Sequence, residues 1–198
     1  MGMLRVIGGS AKGLRLKHVP GDTTRPITDL VKESLFNILG GEVFGVRMLD
    51  LFGGTGAVGI EALSRGAREV TFLDTSRLAV RTIRENLSTT HFTDKASVFQ
   101  ADAFSWLSSQ TDPQFDLIYV APPQYKGMWE KAIELIDQNP AMLSDDGQVI
   151  VQINPLEWVE KAYANLRVFD SRKYGDTLLV FLEKSMGCLL YTSDAADE

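Results

Sequence analysis

Leu49-Asp50-Leu51-Phe52-Gly53-Gly54-Thr55-Gly56-Ala57-Val58-Gly59 is an apolar run that breaks into glycines and resumes with helix-forming residues. Val46 to Phe52 reads as a strand and Ala57 to Arg65 as a helix, which places the glycines at a strand-to-helix junction. There they let the backbone turn tightly and approach a ligand with no Cβ in the way. Twenty residues after Gly54 comes Asp74, at the end of the next predicted strand, where a carboxylate can accept both hydroxyls of a ribose. Gly54 to Gly59 also fits the G-x-G-x-x-G fingerprint literally, so a nicotinamide-dependent oxidoreductase is one possibility.

Two further acids point away from a dinucleotide. Asp50 precedes the glycines at the strand end, where a negative charge opposes a pyrophosphate but suits a cationic ligand such as the amino group of a methionine moiety. Asp102, in Gln100-Ala-Asp-Ala-Phe104, follows the third strand and can reach an adenine edge. Acids after three consecutive strands fit S-adenosylmethionine, which carries a sulfonium and an ammonium, better than they fit NAD. Helix capping is the plainer alternative for Asp50 and Asp102, and an ordinary turn is the plainer alternative for the glycines.

Outward from this motif, β-rich runs alternate with segments of helical period, the pattern of a parallel sheet covered on both faces. Strands are expected at Glu69–Asp74, Ala96–Ala101, Phe115–Val120 and Gln148–Ile153. Helices are expected at Ser76–Ser88, with Ser76 as N-cap, and at about Lys126–Gln138. Leu166–Asp170 and Thr177–Glu183 read as an antiparallel hairpin around Tyr174-Gly175-Asp176. The predicted fold is therefore α/β, a mostly parallel doubly wound sheet with an antiparallel C-terminal hairpin. Ahead of it, Leu4–Ile7 and Leu14–Val19 are expected as short strands of a hairpin or extended arm. A helix capped by Thr28 should follow, with Leu30, Val31, Leu35, Ile38 and Leu39 as its apolar face and Gly40-Gly41 as its end.

The 198 residues, 44% apolar and 23% charged, have the composition of one soluble globular domain. No stretch approaches an uninterrupted apolar span of about 18 to 20 residues, and the N-terminus has no apolar signal core, so a cytoplasmic protein with no membrane partner is expected. The single cysteine, Cys188, excludes an intramolecular disulfide and a cysteine-rich metal site. His18 and His91 stand alone, without a partner at metal-ligand spacing, and no metal is expected. The chain is divided into a basic arm and helix (1–45), a core (46–187) and a tail (188–198). The tail lacks strand or helix periodicity and reads as translated sequencing adapter rather than native protein.

Charge is unevenly placed. Residues 1–47 hold Arg5, Lys12, Arg15, Lys17, Arg25, Lys32 and Arg47 against Asp22, Asp29, Glu33 and Glu42, while the whole chain is at −6. A basic front ahead of an acidic body suits nucleic-acid binding, and a solvated charged hairpin would look the same.

After the fourth predicted strand comes Tyr119-Val-Ala-Pro-Pro-Gln-Tyr125. Two prolines fix an extended loop and remove two amide donors, leaving carbonyl oxygens to accept from a substrate amine. Tyr125 offers a ring on which a flipped base can stack. A rigid turn with a packing aromatic is the alternative.

With these residues in view, the chain resembles the RsmD-type small-subunit (16S) rRNA guanine-N2 methyltransferases, a class I S-adenosylmethionine-dependent family with a Rossmann-like fold. The resemblance spans residues 4–184 and rests on Arg5-Val-Ile-Gly-Gly9, on Arg25-Pro-Ile-Thr-Asp-Leu-Val-Lys-Glu-Ser-Leu-Phe-Asn37, and on Leu49–Gly59 continued by Ile60-Glu-Ala-Leu-Ser-Arg65. The middle segment is the specific one, because the glycine motif is common to many methyltransferases. The resemblance implies a cofactor set of Asp50, Phe52, Gly54, Gly56, Asp74, Asp102 and Ala103. It also implies that the basic arm lies against RNA, with Arg5, Lys12, Arg15, Lys17 and Arg25 as the candidate contacts, while Ala121, Pro122, Pro123, Gln124 and Tyr125 are the candidate catalytic loop. The expected partner is 16S rRNA or an assembling small ribosomal subunit, and the expected state is a monomer.

One position departs from the family. Its members carry Asp or Asn, then Pro-Pro and Phe or Tyr, after the fourth strand, whereas here the first position is Ala121 and Gln124 displaces the aromatic to Tyr125. The missing side chain would orient the target amine, whose lone pair is delocalised into the guanine ring. An amino-methyltransferase acting on DNA and a non-catalytic RNA-binding protein that keeps the fold are the competing readings.

Overall fold

The computed structural model describes residues 3–22, 26–111 and 114–185. Arg25 and the 188–198 tail with Cys188 lie outside the described residues. Seven strands form one sheet: β1 (Arg47–Asp50), β2 (Glu69–Asp74), β3 (Ala96–Gln100), β4 (Phe115–Val120), β5 (Leu143–Ile153), β6 (Leu166–Tyr174) and β7 (Thr177–Lys184). Their order is β3-β2-β1-β4-β5-β7-β6. The first five are mutually parallel, while β7 runs antiparallel to both β5 and β6. The expected Rossmann-like sheet with its reversed C-terminal hairpin is thus observed.

Period-two alternation explains how both faces are covered. Met48, Val70, Phe72, Leu117 and Ile150 pack with α1 (Asp29–Leu39), α2 (Ala57–Ser64) and α3 (Arg77–Thr90). Their neighbours Leu49, Leu73, Ile118, Val149 and Val151 pack on the other face, with α4 (Ala103–Ser109) and α5 (Met128–Gln138). The arm joins the first layer through Leu4, Val6, Ala11 and Leu16.

Several boundaries differ from expectation for identifiable reasons. β5 begins at Leu143 rather than Gln148, because Ser144-Asp-Asp-Gly147, a turn by composition, is carried as an irregular start where the register with β4 shifts. β1 stops at Asp50, two residues early, since Leu51 to Gly53 already enter the glycine turn. α3 extends to Thr90 and is capped by Ser76, whose side chain accepts the Ala79 N–H at 3.3 Å. On α1, Thr28 caps as expected, but Leu30 and Ile38 lie outside at 65% and 39% exposure. Lys32 and Phe36 take the buried places instead.

The arm is the expected hairpin, with pairing too short to count as full strands: around the antiparallel Arg5–Arg15 bridge, Val6 N–H donates to the Leu14 carbonyl at 2.9 Å, Gly13 N–H to the Val6 carbonyl at 2.8 Å and Leu16 N–H to the Leu4 carbonyl at 2.8 Å. Donors that this pairing leaves over are satisfied by the helices beneath it. Ile7 and Gly8 N–H donate to the two oxygens of Glu61 at 2.9 and 2.8 Å, and Ser10 N–H donates to the Ser64 carbonyl at 2.8 Å. The approach is so close that a Cβ at Gly9, whose φ is +77°, would fall 1.8 Å from the Ser64 carbonyl oxygen. Lys32 completes the clamp: its ammonium lies 3.5 Å from Glu61 and donates to the Arg5 carbonyl at 2.5 Å, with both side chains fully buried. Breaking one side of a buried ion pair costs about 3–5 kcal/mol, so the clamp fixes the arm firmly.

Candidate active site

Strand order alone brings the candidate residues together. Asp50 and Asp74 end β1 and β2, and Asp102 and Ala121 come just after β3 and β4, so all four lie at the carboxyl ends of four adjacent strands. This is the crevice where open α/β sheets bind ligands.

The glycine turn is built around Asp74. Its Oδ2 accepts the Gly54 N–H at 2.9 Å and its Oδ1 accepts the Ser76 N–H at 2.8 Å. Each oxygen keeps a further lone-pair site, so the carboxylate can brace the turn and still take a hydroxyl. Gly54 has φ +56°, and a Cβ there would meet nothing within 4 Å, leaving its face open for a ligand. Gly56, at φ +80°, is the N-cap of α2.

Asp50 is the most unusual group. It is 1% exposed, and its Oδ1 has no hydrogen-bond partner among the described residues. Burial, reinforced by the Asp74 charge and only partly offset by the Phe52 N–H, pushes its carboxyl up to about 7. A buried acceptor in this state is matched by a cationic donor. Tyr119, its register partner on β4, is buried too, and its hydroxyl donates to Gln152 at 2.5 Å.

Asp102 is the N-cap of α4, its Oδ1 accepting the Ser105 N–H at 2.8 Å, and this bond holds its carboxyl below the usual range. Ala103 beside it is buried, and Phe52 meets Phe104 edge-on at 6.2 Å. Both therefore shape the apolar wall beyond the acids.

In the β4 loop, Pro122 is buried, while Pro123, Gln124 and Tyr125 are exposed, and Ala121 packs against the layer that holds the arm. Tyr125 is 64% exposed with φ +60°, a conformation that costs a non-glycine residue about 1–2 kcal/mol. Its N–H donates to Glu157 at 2.6 Å, and Glu157 also accepts the Asn154 N–H at 3.2 Å after β5. Two strand ends thus hold an aromatic ring outward in a strained backbone.

The expected RNA-binding residues divide. Arg5 pairs with Asp29 at 3.1 Å and Lys17 with Glu85 at 2.8 Å. Lys12 and Arg15 are exposed, and neither has an ion pair among the described residues. Lys32 and Arg47, counted in the basic front, are committed internally to Glu61 and Glu69.

Three residues of consequence were not singled out in sequence. Glu61 is a lone acid on an otherwise apolar helix, and that isolation is its signal. Asn86, fully buried, accepts the Lys17 N–H and donates to Lys17 and Thr55 carbonyls. Its signal is an amide flanked by Ile83 and Leu87 on a buried helical face. Glu157 had none, because its partner is a backbone N–H far away in sequence.

Comparison with known proteins places this geometry. The family described as conserved hypothetical protein 95 matches residues 4–183. Ribosomal RNA small subunit methyltransferase D of Escherichia coli K12 is 34% identical over 151 residues, covering 76% of this chain and 75% of that protein. A Bacillus subtilis protein described as an rRNA methyltransferase is 37% identical over 183 residues, 91% of this chain and 99% of the other. A solved Escherichia coli structure, described as a methyltransferase, superposes with a TM-score of 0.82 at 31% identity, covering 92% of this chain and 98% of that one. The cofactor of such enzymes is S-adenosylmethionine, and the residues present fit it: Asp50 offers a buried acceptor to an ammonium and the Gly54 face is open. The chain belongs to the conserved hypothetical protein 95 family, that of the RsmD-type methyltransferases.

Proposed function

We propose that this protein transfers a methyl group to the exocyclic N2 amine of a guanine in small-subunit (16S) rRNA, in the cytoplasm. The observation that carries it is the placement of Asp50, a buried carboxylate wanting a cationic donor, on the same sheet edge as the outward-held Tyr125. When bound, S-adenosylmethionine supplies an electrophilic methyl on a sulfonium. Asp50 would hold its ammonium, Asp74 a ribose hydroxyl, and Asp102 would serve the adenine edge.

The protein's remaining task is orientation, because the guanine amine is a weak nucleophile whose lone pair must be turned out of the ring plane. Tyr125 supplies the stacking platform for a flipped base. The main-chain carbonyls of Ala121 and Pro122 accept the amine's hydrogens, with Gln124 beside them. The amine would take the methyl directly, its new N–C bond forming as the C–S bond breaks to leave a neutral thioether, and the surplus proton would then leave to water; no covalent enzyme intermediate is required. Lys12 and Arg15 hold RNA phosphates from the arm.

The test is methyl transfer from labelled S-adenosylmethionine to deproteinised rRNA and to small ribosomal subunits, with mass mapping of the product. Labelled N2-methylguanine in small-subunit rRNA is expected. Label in DNA but not RNA would make it a DNA amino-methyltransferase. RNA binding without any transfer would support the non-catalytic alternative that Ala121 raises.

A further inference from the structure

The outer face of α3 is cationic in a chain whose net charge is −6. Arg77, Arg81 and Arg84 stand at i, i+4 and i+7, the spacing that aligns side chains along one helix face. They line an open cleft of about 520 Å³ together with Val80, Glu85, Ser88 and Gln100, in which Glu85 is the one acid. Arg81 is 76% exposed, and Glu85 accepts from it at 2.9 Å and from Lys17 of the arm at 2.8 Å. Glu85 therefore sets two cations side by side rather than cancelling the group. Arg84 spends one donor on the Val98 carbonyl at 3.2 Å, which anchors its guanidinium at the cleft wall.

We propose that this cleft is a second phosphate-binding track for the RNA substrate, continuous with the arm. The proposal rests on RNA being the substrate. Arginine forks match phosphate oxygens bidentately, and the seven-residue interval from Arg77 to Arg84 spans about 10 Å of helix axis. One end of the track lies near the carboxyl end of β2: Arg77 is three residues beyond Asp74, and Gln100, which lines the cleft, donates to the Thr75 carbonyl at 3.2 Å. The other end meets the arm through the Lys17–Glu85 pair. A backbone entering along α3 is thus led toward the strand ends where the reacting base must sit.

The experiment is RNA binding to the full chain against salt concentration, comparing wild type, a triple variant (Arg77→Gln, Arg81→Gln, Arg84→Gln) and a control (Arg167→Gln, Arg172→Gln) at the opposite sheet edge. Glutamine keeps a donor for the Val98 carbonyl, and an unchanged melting temperature confirms folding. The triple variant should lower the slope of log affinity against log salt by about 2, as expected for three single-strand phosphate contacts. S-adenosylhomocysteine affinity should be unchanged, and the control should behave as wild type. A wild-type slope and affinity in the triple variant would overturn the track while leaving RNA as the substrate. Absence of salt-dependent RNA binding by the wild type would overturn both.

Discussion

Asn86 donates from Nδ2 to the Thr55 carbonyl at 2.9 Å, so a buried amide of α3 holds the centre of the glycine turn. The same side chain donates to the Lys17 carbonyl at 3.1 Å and accepts the Lys17 N–H at 2.7 Å. The Lys17 N–H can only donate, which fixes the amide's orientation. The basic arm and the cofactor turn are therefore tied through one residue.

This tie predicts that Asn86→Ala loosens both ends together. Two carbonyls and one N–H lose their partner, at a cost of about 1–3 kcal/mol for each group left buried and unpaired. Hydrogen exchange should accelerate at the Lys17 and Gly56 amides, and S-adenosylhomocysteine affinity should fall several-fold. Asn86→Asp, which keeps the acceptor and loses the donors, should spare Lys17 N–H protection more than it spares the turn. Exchange confined to one of the two segments would show that the tie does not couple them.

The buried carboxyl of Asp50 makes stability and cofactor binding respond to pH in opposite directions. Its folded-state value of about 7 lies above the ordinary 3.8, so the native state holds a proton that the unfolded chain has released. Ligand-free stability should therefore fall as pH rises from about 4 to 7 and level off above, by on the order of 4 kcal/mol if Asp50 acted alone. Cofactor binding needs the ionised form, so S-adenosylhomocysteine affinity should rise through neutral pH. Asp50→Asn should flatten both profiles, raising ligand-free stability at pH 8 while weakening the ligand. Melting temperature and calorimetry across pH 5–8 provide the check, and unchanged profiles in Asp50→Asn would assign the dependence elsewhere.

Much of this architecture is legible in sequence because it is local. The glycine turn, the Ser76 and Thr28 caps and the largely apolar run of Phe115–Val120 each declare themselves within a few residues. The arm's hairpin is legible too, since Leu4 and Val6 pair with Leu16 and Leu14 as their strand-forming character suggests. Its anchoring is not, because Glu61 and Ser64, which take the N–H groups of Ile7, Gly8 and Ala11, lie more than 50 positions away. Lys32 counts toward the basic front by composition, whereas Glu61 and the Arg5 carbonyl draw it into the core. Asp50 and Asp74 read as acids at strand ends, but only the structure shows that both Asp74 oxygens are paired while the buried Oδ1 of Asp50 has no partner among the described residues.

The Tyr125 loop gives the sharpest test of chemistry, because its ring and its backbone strain can be removed separately. Tyr125→Phe keeps the stacking face and should retain transfer. Tyr125→Ala removes a contact worth about 1–3 kcal/mol, a loss of roughly 5- to 150-fold in single-turnover rate, with S-adenosylhomocysteine affinity intact. Tyr125→Gly removes the ring and also relieves the φ of +60°, so it should lose transfer as alanine does while gaining about 1 kcal/mol of stability over it. A strained residue that is less stable than glycine yet needed for rate is one held for function rather than packing. Ala121→Asn, which restores the side chain the family carries before Pro-Pro, should be tolerated or should raise the rate if the loop has the family geometry. Full single-turnover activity in Tyr125→Ala would remove the platform from the mechanism. Transfer by Ala121→Asn alone, with none by the unmutated protein, would identify this chain as an RNA binder whose catalytic side chain has been lost.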